Sequence, residues 1–76
     1  MKLIREQKIQ VKIEESNKEH WAFLYIEEYA TIWSITCQII GHALPGAQDW
    51  RYKKKEYPTL DSVINKFKLD YKQRWS

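Results

Sequence analysis

Polar and apolar residues alternate strictly in the first part of the chain, which is the period of a strand with one buried face. The apolar positions are Ile9, Val11 and Ile13. The positions around them are all polar: Lys8, Gln10, Lys12 and Glu14. We therefore predict a first strand near residues 3–14. The polar stretch that follows, Glu15 to Glu19, suits a turn.

A second apolar segment, Trp21 to Ile26, contains no charged residue and predicts a strand near residues 20–28. Such a strand would be apolar on both faces. One face carries three aromatic rings: Trp21, Phe23 and Tyr25. The other face is aliphatic: Ala22, Leu24 and Ile26.

The same segment has an alternative interpretation as a helix. Ser16 and Glu19 fit the S-x-x-E capping box, which would begin a helix through Trp21 to Tyr29. Short apolar runs cannot be assigned by period alone, so this two-helix alternative stays open. We favour the strand because aromatic and β-branched residues outnumber good helix formers from Trp21 to Ile40.

Residues 31–40 are dominated by β-branched residues and predict a third strand. One of its faces is formed by Trp33, Ile35, Cys37 and Ile39. Gly41 to Asp49 holds both glycines and one proline, which predicts the longest loop. Aromatic and basic residues alternate at the start of the next segment, and we predict a last strand near residues 50–57. This strand would carry three solvated lysines: Lys53, Lys54 and Lys55.

The C-terminal residues 59–75 have the pattern of an amphipathic helix. Thr59 suits the N-cap, and Asp61 lies in the first turn, where the helix dipole favours an acid. Lys72 and Arg74 lie in the last turn, where the dipole favours bases. The apolar stripe consists of Leu60, Val63, Ile64, Phe67, Tyr71 and Trp75. We expect the helix to pack across the sheet through Leu60, Ile64, Phe67 and Tyr71.

Together these elements predict a single α+β domain over residues 1–76, a small antiparallel sheet of three to four strands followed by one C-terminal amphipathic helix. Hydrophobic residues make up 43% of the chain, with four Trp, five Tyr and two Phe, which is enough for a core built from side chains alone. The single cysteine, Cys37, cannot form an internal disulfide. With no signal-like segment and no apolar run near the ~20 residues of a membrane span, we expect a cytoplasmic protein without a membrane partner.

No residue pattern indicates catalysis, and we expect that the protein is not an enzyme. A zinc site needs about four ligands at fixed spacing, whereas the chain offers Cys37, His20 and His42 on separate elements. The spacing does not support a Cys37 and His42 nucleophile pair, and Gly41 and Gly46 lack the Lys-Ser/Thr of a phosphate-binding loop. We therefore expect no catalytic residue, metal, cofactor or small-molecule substrate, and a buried structural role for Cys37.

Charge is distributed unevenly along the chain. Residues 1–49 carry five Lys/Arg and seven Asp/Glu, a balance of −2, whereas residues 50–76 carry eight and three, a balance of +5. Interleaved aromatic residues can stack on bases while neighbouring cations meet phosphate. The pattern predicts a binding module for an anionic partner, DNA or RNA, although lysines on an edge strand also prevent aggregation. The candidate nucleic-acid-binding residues are Trp50, Arg51, Tyr52, Lys53, Lys54, Lys55, Lys66, Lys68, Lys72 and Arg74.

Surplus apolar surface favours a different class of function. A sheet covered by one helix buries one face, yet Trp21 to Ile26 is apolar on both, and Ile32 and Ile40 extend the second face. We also assign Ile26 to that second face. Either the N-terminal Leu3–Ile4 segment folds over it, or it is an exposed patch. An exposed patch would indicate a protein-protein interaction module, such as a small regulator, inhibitor or accessory subunit, or a homodimer.

Several short segments of residues 20–75 have the layout of strands followed by a helix. They are Ile32-Trp33, Ile40-Gly41, Gly46-Ala47-Gln48 and Lys55-Glu56-Tyr57-Pro58-Thr59-Leu60-Asp61, leading into Val63, Ile64, Phe67 and Tyr71. This layout resembles that of WGR domains, in which strands are followed by a helix with a similar entry. The N-terminal DNA-binding domains of phage-type integrases share this helix entry. The resemblance implies a nucleic-acid-contacting role. Thr36, Cys37 and Gln38 stand in the neighbourhood of the family's Trp-Gly-Arg tripeptide, so no functional residue is carried over.

Overall fold

Four strands are followed by one helix in the computed structural model, which describes residues 2–41 and 48–75. The elements are β1 (Leu3–Glu15), β2 (Lys18–Tyr29), β3 (Ile32–Ile39), β4 (Gln48–Lys53) and α1 (Leu60–Trp75). The strands form one antiparallel sheet in the order β1-β2-β3-β4, so each strand pairs with its neighbours in sequence. The predicted α+β fold, a small antiparallel sheet with a C-terminal helix, is confirmed.

The turn between β1 and β2 fixes the register of the first hairpin. Ser16 and Asn17 both have positive φ, 52° and 64°. Positive φ at both central residues is the backbone of a type I′ turn, whose twist matches that of paired strands. The segment that could have formed a helix, Trp21 to Tyr29, instead pairs with β1 on one side and largely with β3 on the other. The helical alternative is therefore wrong, because two ladders satisfy the backbone of this segment.

One face of the sheet is covered by α1 and contains the core. The fully enclosed residues of this core are Ile13, Ala22, Leu24, Ile26, Trp33, Ile35, Cys37, Val63, Phe67 and Tyr71. Leu60 and Ile64 of α1 pack against its margin. The assignment of Ile26 to the second face is wrong, because its register partner Ile35 lies under the helix with it.

The entry to α1 is held by a reciprocal pair of hydrogen bonds. The Ser62 backbone N–H donates to Thr59 Oγ1 at 3.2 Å, and the Thr59 N–H donates to Ser62 Oγ at 3.1 Å. This is the capping-box arrangement with Ser in the place of Glu or Gln, and it confirms Thr59 as the N-cap. Upstream of the cap, Trp33 Nε1 donates to the Tyr57 carbonyl at 2.7 Å, which fastens the helix entry to β3.

The last strand ends earlier than predicted. The N–H groups of Glu56 and Tyr57 both donate to the Lys53 carbonyl at 3.1 Å, so a turn replaces the strand after Lys53. Lys54 is not solvated as expected. Its Nζ lies 2.6 Å from Glu28 Oε2 and 5.3 Å from the centre of the Trp33 ring. Three consecutive lysines have no strand period, and the chain turns here while Lys54 contacts a residue that is distant in sequence. The strand also begins earlier than predicted, because Gln48 and Asp49 of the predicted loop pair with β3. Residues 42–47 of that loop lie outside the described residues.

The thiol of Cys37 should resist modification in the folded protein. Burial, together with the Glu15 carboxylate, raises the pKa of this thiol from 9.0 to about 11. Because the thiolate is the reactive form, we expect slow reaction with a thiol reagent near neutral pH and fast reaction in urea. A raised folded-state pKa also means that this group's contribution to stability is present below pH 9.0 and is lost as the pH rises through about 11. The labelling reaction is measured by absorbance, and rapid labelling of the native protein would contradict the buried position of the Cys37 thiol.

Candidate nucleic-acid interface

The two rings among the predicted binding residues serve the packing between β4 and α1. Trp50 meets the Phe67 ring edge-on at 5.6 Å, and the guanidinium of Arg74 lies 5.3 Å from the centre of the Trp50 ring. The Tyr52 hydroxyl donates to Asp70 Oδ2 at 2.9 Å. Burial and this hydrogen bond raise the pKa of Tyr52. Both rings lie half-buried on the helix side of the sheet, so they are poorly placed to stack on bases.

The cations of β4 and the turn after it point in different directions. Arg51 and Lys53 are exposed on the face of the sheet opposite α1, because they alternate with the inward-facing rings of β4. Lys54 is engaged with Glu28 on the helix side. Lys55 is exposed in the turn. Of these predicted residues, Arg51 and Lys53 therefore share one surface.

The predicted cations of α1 lie on its two flanks. Lys66 Nζ pairs with Asp70 Oδ1 at 3.0 Å, and this hydrogen bond raises the pKa of the Lys66 ammonium. On the other flank, Lys72 Nζ lies 3.3 Å from Glu14 Oε2. Lys68 and Lys72 line a shallow depression between α1 and the first hairpin. The ten predicted residues therefore do not form a single patch.

The face of the sheet opposite α1, here called the open face, carries exposed aromatic rings. Trp21 is 48% exposed, Tyr25 is 38% exposed, and Phe23 between them is half-buried. The register places a lysine or glutamine of β1 beside each ring, and Thr36 and Gln38 on the β3 side. Ile40 completes the surface, since its N–H donates to the Trp21 carbonyl at 2.9 Å. We call this set the aromatic patch: Lys8, Gln10, Lys12, Trp21, Phe23, Tyr25, Thr36, Gln38 and Ile40.

The three rings stand in a straight column along β2. Alternate residues of a strand are about 6.6–6.8 Å apart, so the column from Trp21 to Tyr25 is about 13 Å long. Neighbouring strands lie about 4.8 Å to either side. The column is therefore flanked by one row of side chains from β1 and one from β3.

Two lysines of β1 lie over the rings. Lys8 Nζ is 4.2 Å from the centre of the Phe23 ring and 5.6 Å from that of Tyr25, and Lys12 Nζ is 5.2 Å from that of Trp21. An exposed cation–π contact is worth about 0.5–1 kcal/mol, whereas a base stacked on an aromatic ring is worth about 1–3 kcal/mol. A base can therefore displace either ammonium from its ring. The displaced ammonium would remain close enough to meet a phosphate.

Acidic residues bound the aromatic patch without entering it. None of its nine residues is Asp or Glu. Glu14 and Glu19 lie opposite each other beyond Trp21 at one end of the column, and Glu6 and Glu27 lie opposite each other beyond Tyr25 at the other. Asp49 borders the patch beyond β3, where its Oδ1 accepts a hydrogen bond from Thr36 Oγ1 at 2.7 Å. The Lys12 ammonium also lies 3.6 Å from Glu19 Oε2. The patch is thus cationic locally, while the open face as a whole carries both signs.

The β1 part of this surface was missed at the level of sequence. The sequence indicates the apolar segment Trp21 to Ile26, but its alternation assigns Lys8, Gln10 and Lys12 only to the polar side of a strand. The available signal was the two-residue turn at Ser16 and Asn17, which sets Lys12 opposite Trp21 in the hairpin. The proposed cover by the N-terminal residues is also wrong, because Leu3 and Ile4 belong to β1 and are exposed there.

The described part of the chain has neither a cluster of metal-ligating side chains nor a helix suited to a membrane. Within it, no group of three or more His, Cys, Asp or Glu side chains is arranged to hold a metal ion. No helix among those residues has the length and apolar character required to cross a membrane. The candidate partner of Cys37, His42, lies outside the described residues.

No protein-family model, no curated protein and no solved structure matches the chain. The resemblance of residues 20–75 to WGR domains therefore stays a prediction.

Proposed function

We propose that the chain is a small non-catalytic binding module for nucleic acid. The observation that supports this most strongly is the aromatic patch, in which three rings stand in one column beside Lys8 and Lys12. Sequence-tolerant binding of nucleic acid combines rings that stack on bases with cations that follow the backbone. The net charge of +3 also favours encounter with a polyanion.

The cations of β4 extend this interface across the open face. Arg51 lies two strands across and one row along from Tyr25, about 12 Å away at ordinary strand spacing, and Lys53 lies one row further. Asp49 is the β4 residue directly across from Tyr25. A strand of nucleic acid on the column can reach this second set of cations with an adjacent segment of its backbone. Lys55, Lys66 and the other cations outside the open face contribute to long-range attraction rather than to direct contact, and their influence falls within about 8–10 Å at physiological salt.

Removing the two patch lysines should reduce the salt dependence of binding. Each phosphate contact to a single strand contributes about 0.7 to the slope of log affinity against log salt. Lys8→Ala combined with Lys12→Ala should therefore lower that slope by about 1.4. The measurement is fluorescence anisotropy of a labelled oligonucleotide over a series of salt concentrations.

The matched control removes the same charge elsewhere, by combining Lys55→Ala with Lys68→Ala. This variant should retain the wild-type slope, because neither lysine lies on the open face. An equal loss of slope in both variants would remove the patch from the contact surface. Absence of any salt-sensitive binding at low salt would refute the proposed function.

A second candidate function uses the same face to bind another copy of the chain. Trp21, Tyr25 and Ile40 are large exposed hydrophobic residues in one patch, and exposed apolar patches mark protein interfaces. The acids at the ends of the column would meet the lysines of a symmetric copy. Light scattering measures whether the chain forms this dimer. A dimer that binds no oligonucleotide in the anisotropy measurement would favour the protein-interaction function.

A further inference from the structure

We infer that the aromatic patch binds unpaired nucleotides, one base on each of Trp21, Phe23 and Tyr25, and that Gln10 and Gln38 read the edge of the central base. This inference rests on the proposed nucleic-acid function. It adds the form of nucleic acid that the patch accepts and the position at which base preference arises.

The spacing of the rings indicates an extended single strand. Nucleotides in a stacked strand rise about 3.4 Å each, whereas neighbouring rings of the column are about 6.6–6.8 Å apart. Bases that stack on Trp21, Phe23 and Tyr25 must therefore be separated from one another. A duplex cannot provide such bases without losing the stacking between its own base pairs.

The shape of the open face also disfavours a duplex. The major groove of B-form DNA is about 12 Å wide and admits a helix or a two-stranded ribbon. The four strands of this sheet span about 14 Å between the axes of β1 and β4, before side chains are added. The sheet is too wide to enter the groove, so the rings would meet only the backbone of a duplex.

Phe23 and the residues opposite it on β1 and β3 differ from the corresponding sets around Trp21 and Tyr25. Gln10 lies directly opposite Phe23 on β1, and Gln38 lies directly opposite it on β3. Both glutamines are exposed. A carboxamide presents donors and an acceptor together, and it matches the donor and acceptor of adenine. The base on Phe23 is therefore the one that meets hydrogen-bonding groups on two sides.

Lys8 changes its partner when a base binds. In the free protein its ammonium lies over the Phe23 ring, 4.2 Å from the ring centre. A base stacked on Phe23 occupies this position, so the ammonium must move outward, towards the backbone of the bound strand. The same exchange applies to Lys12 at Trp21. Binding thus converts two cation–π contacts into stacked bases and two phosphate contacts.

The test compares the affinity for a labelled single strand with that for the duplex of the same sequence at low salt. The strand has about ten nucleotides, which is within the site sizes of small single-strand-binding domains. We expect the single strand to bind and Phe23→Ala to weaken it by about 5- to 150-fold, the value of one stacked base. Leu69→Ala is the control, because Leu69 is 58% exposed on α1, away from the open face, and its truncation should leave the affinity unchanged. Circular dichroism verifies that each variant folds.

The possible outcomes separate this inference from the proposed function. Equal binding of single strand and duplex, with no effect of Phe23→Ala, would overturn the inference and leave nucleic-acid binding intact. No binding of either form would overturn both, and a dimer under those conditions would favour the protein-interaction function. Gln10→Ala combined with Gln38→Ala should reduce the difference in affinity between oligo(dA) and oligo(dT). An equal effect on the two oligonucleotides would remove the base-reading role of the glutamines.

Discussion

Phe67→Ala should destabilise the domain by about 3–5 kcal/mol, a large part of its total stability. Phe67 is fully buried at the centre of α1, with its ring 5.6 Å from that of Trp50 and 5.8 Å from that of Tyr71. Truncation of a buried Phe costs about 3–5 kcal/mol. A chain of this length has a total free energy of unfolding of about 4–11 kcal/mol, at roughly 0.05–0.15 kcal/mol per residue. The variant should lose its cooperative thermal transition or show a greatly lowered midpoint by circular dichroism.

Leu69→Ala provides the control on the same helix. Leu69 is 58% exposed, so its truncation should change the free energy of unfolding by no more than about 0.5 kcal/mol. Both variants lose an apolar side chain from a helical position, and they differ in burial. A wild-type melting curve for Phe67→Ala would show that α1 does not cover the core, and the identification of the open face would lose its basis.

The elements of this fold were predictable because each has a local period. The alternation in β1 and the stripe of α1 repeat often enough to define one face each. The end of β4 was not predictable, because Lys53, Lys54 and Lys55 carry no period. In this turn Lys54 contacts Glu28, which lies far away in sequence. Local patterns cannot indicate such a contact.

The register between β2 and β3 determines which face of the sheet α1 covers. Both faces of β2 are apolar, so the sequence of this strand does not indicate which one α1 covers. The register sets Ile26 opposite Ile35 and Leu24 opposite Cys37, which joins two apolar faces into one. It sets Phe23 opposite Gln38, so the aromatic face continues into polar residues. The aliphatic face therefore provides the larger continuous apolar surface for the helix.

The ten predicted binding residues do not share one surface, because the prediction joined residues that are close in sequence. Neighbouring residues of a strand point to opposite faces of the sheet. Alternation along β4 sends Trp50 and Tyr52 towards α1 and sends Arg51 and Lys53 to the open face. The aromatic rings and the cations of this segment therefore lie on opposite sides of the sheet. The rings that do share a face with lysines are on β2, and their lysines come from β1. Finding that combination requires the hairpin register rather than the composition of one segment.

Ile26→Lys should unfold the protein, whereas Tyr25→Lys should leave it folded. Ile26 is 1% exposed, so the substitution removes about 2–5 kcal/mol of core packing and also buries an unpaired ammonium. The sum exceeds the stability of most domains of this size. Tyr25 is the preceding residue and lies on the open face, where a lysine remains solvated. Thermal melts of the two variants, followed by circular dichroism, measure the difference directly.

The same pair of variants also links the fold to the proposed interface. Folded Tyr25→Lys loses one stacking ring and gains one cation, so its affinity for a single strand should become more sensitive to salt, with a slope increased by about 0.7. Its affinity extrapolated to high salt should fall, because stacking is the contribution that salt does not screen. An unfolded Tyr25→Lys beside a folded Ile26→Lys would reverse the two faces. In that case the aromatic column would belong to the core, and the interface would have to be sought among the aliphatic residues of β2.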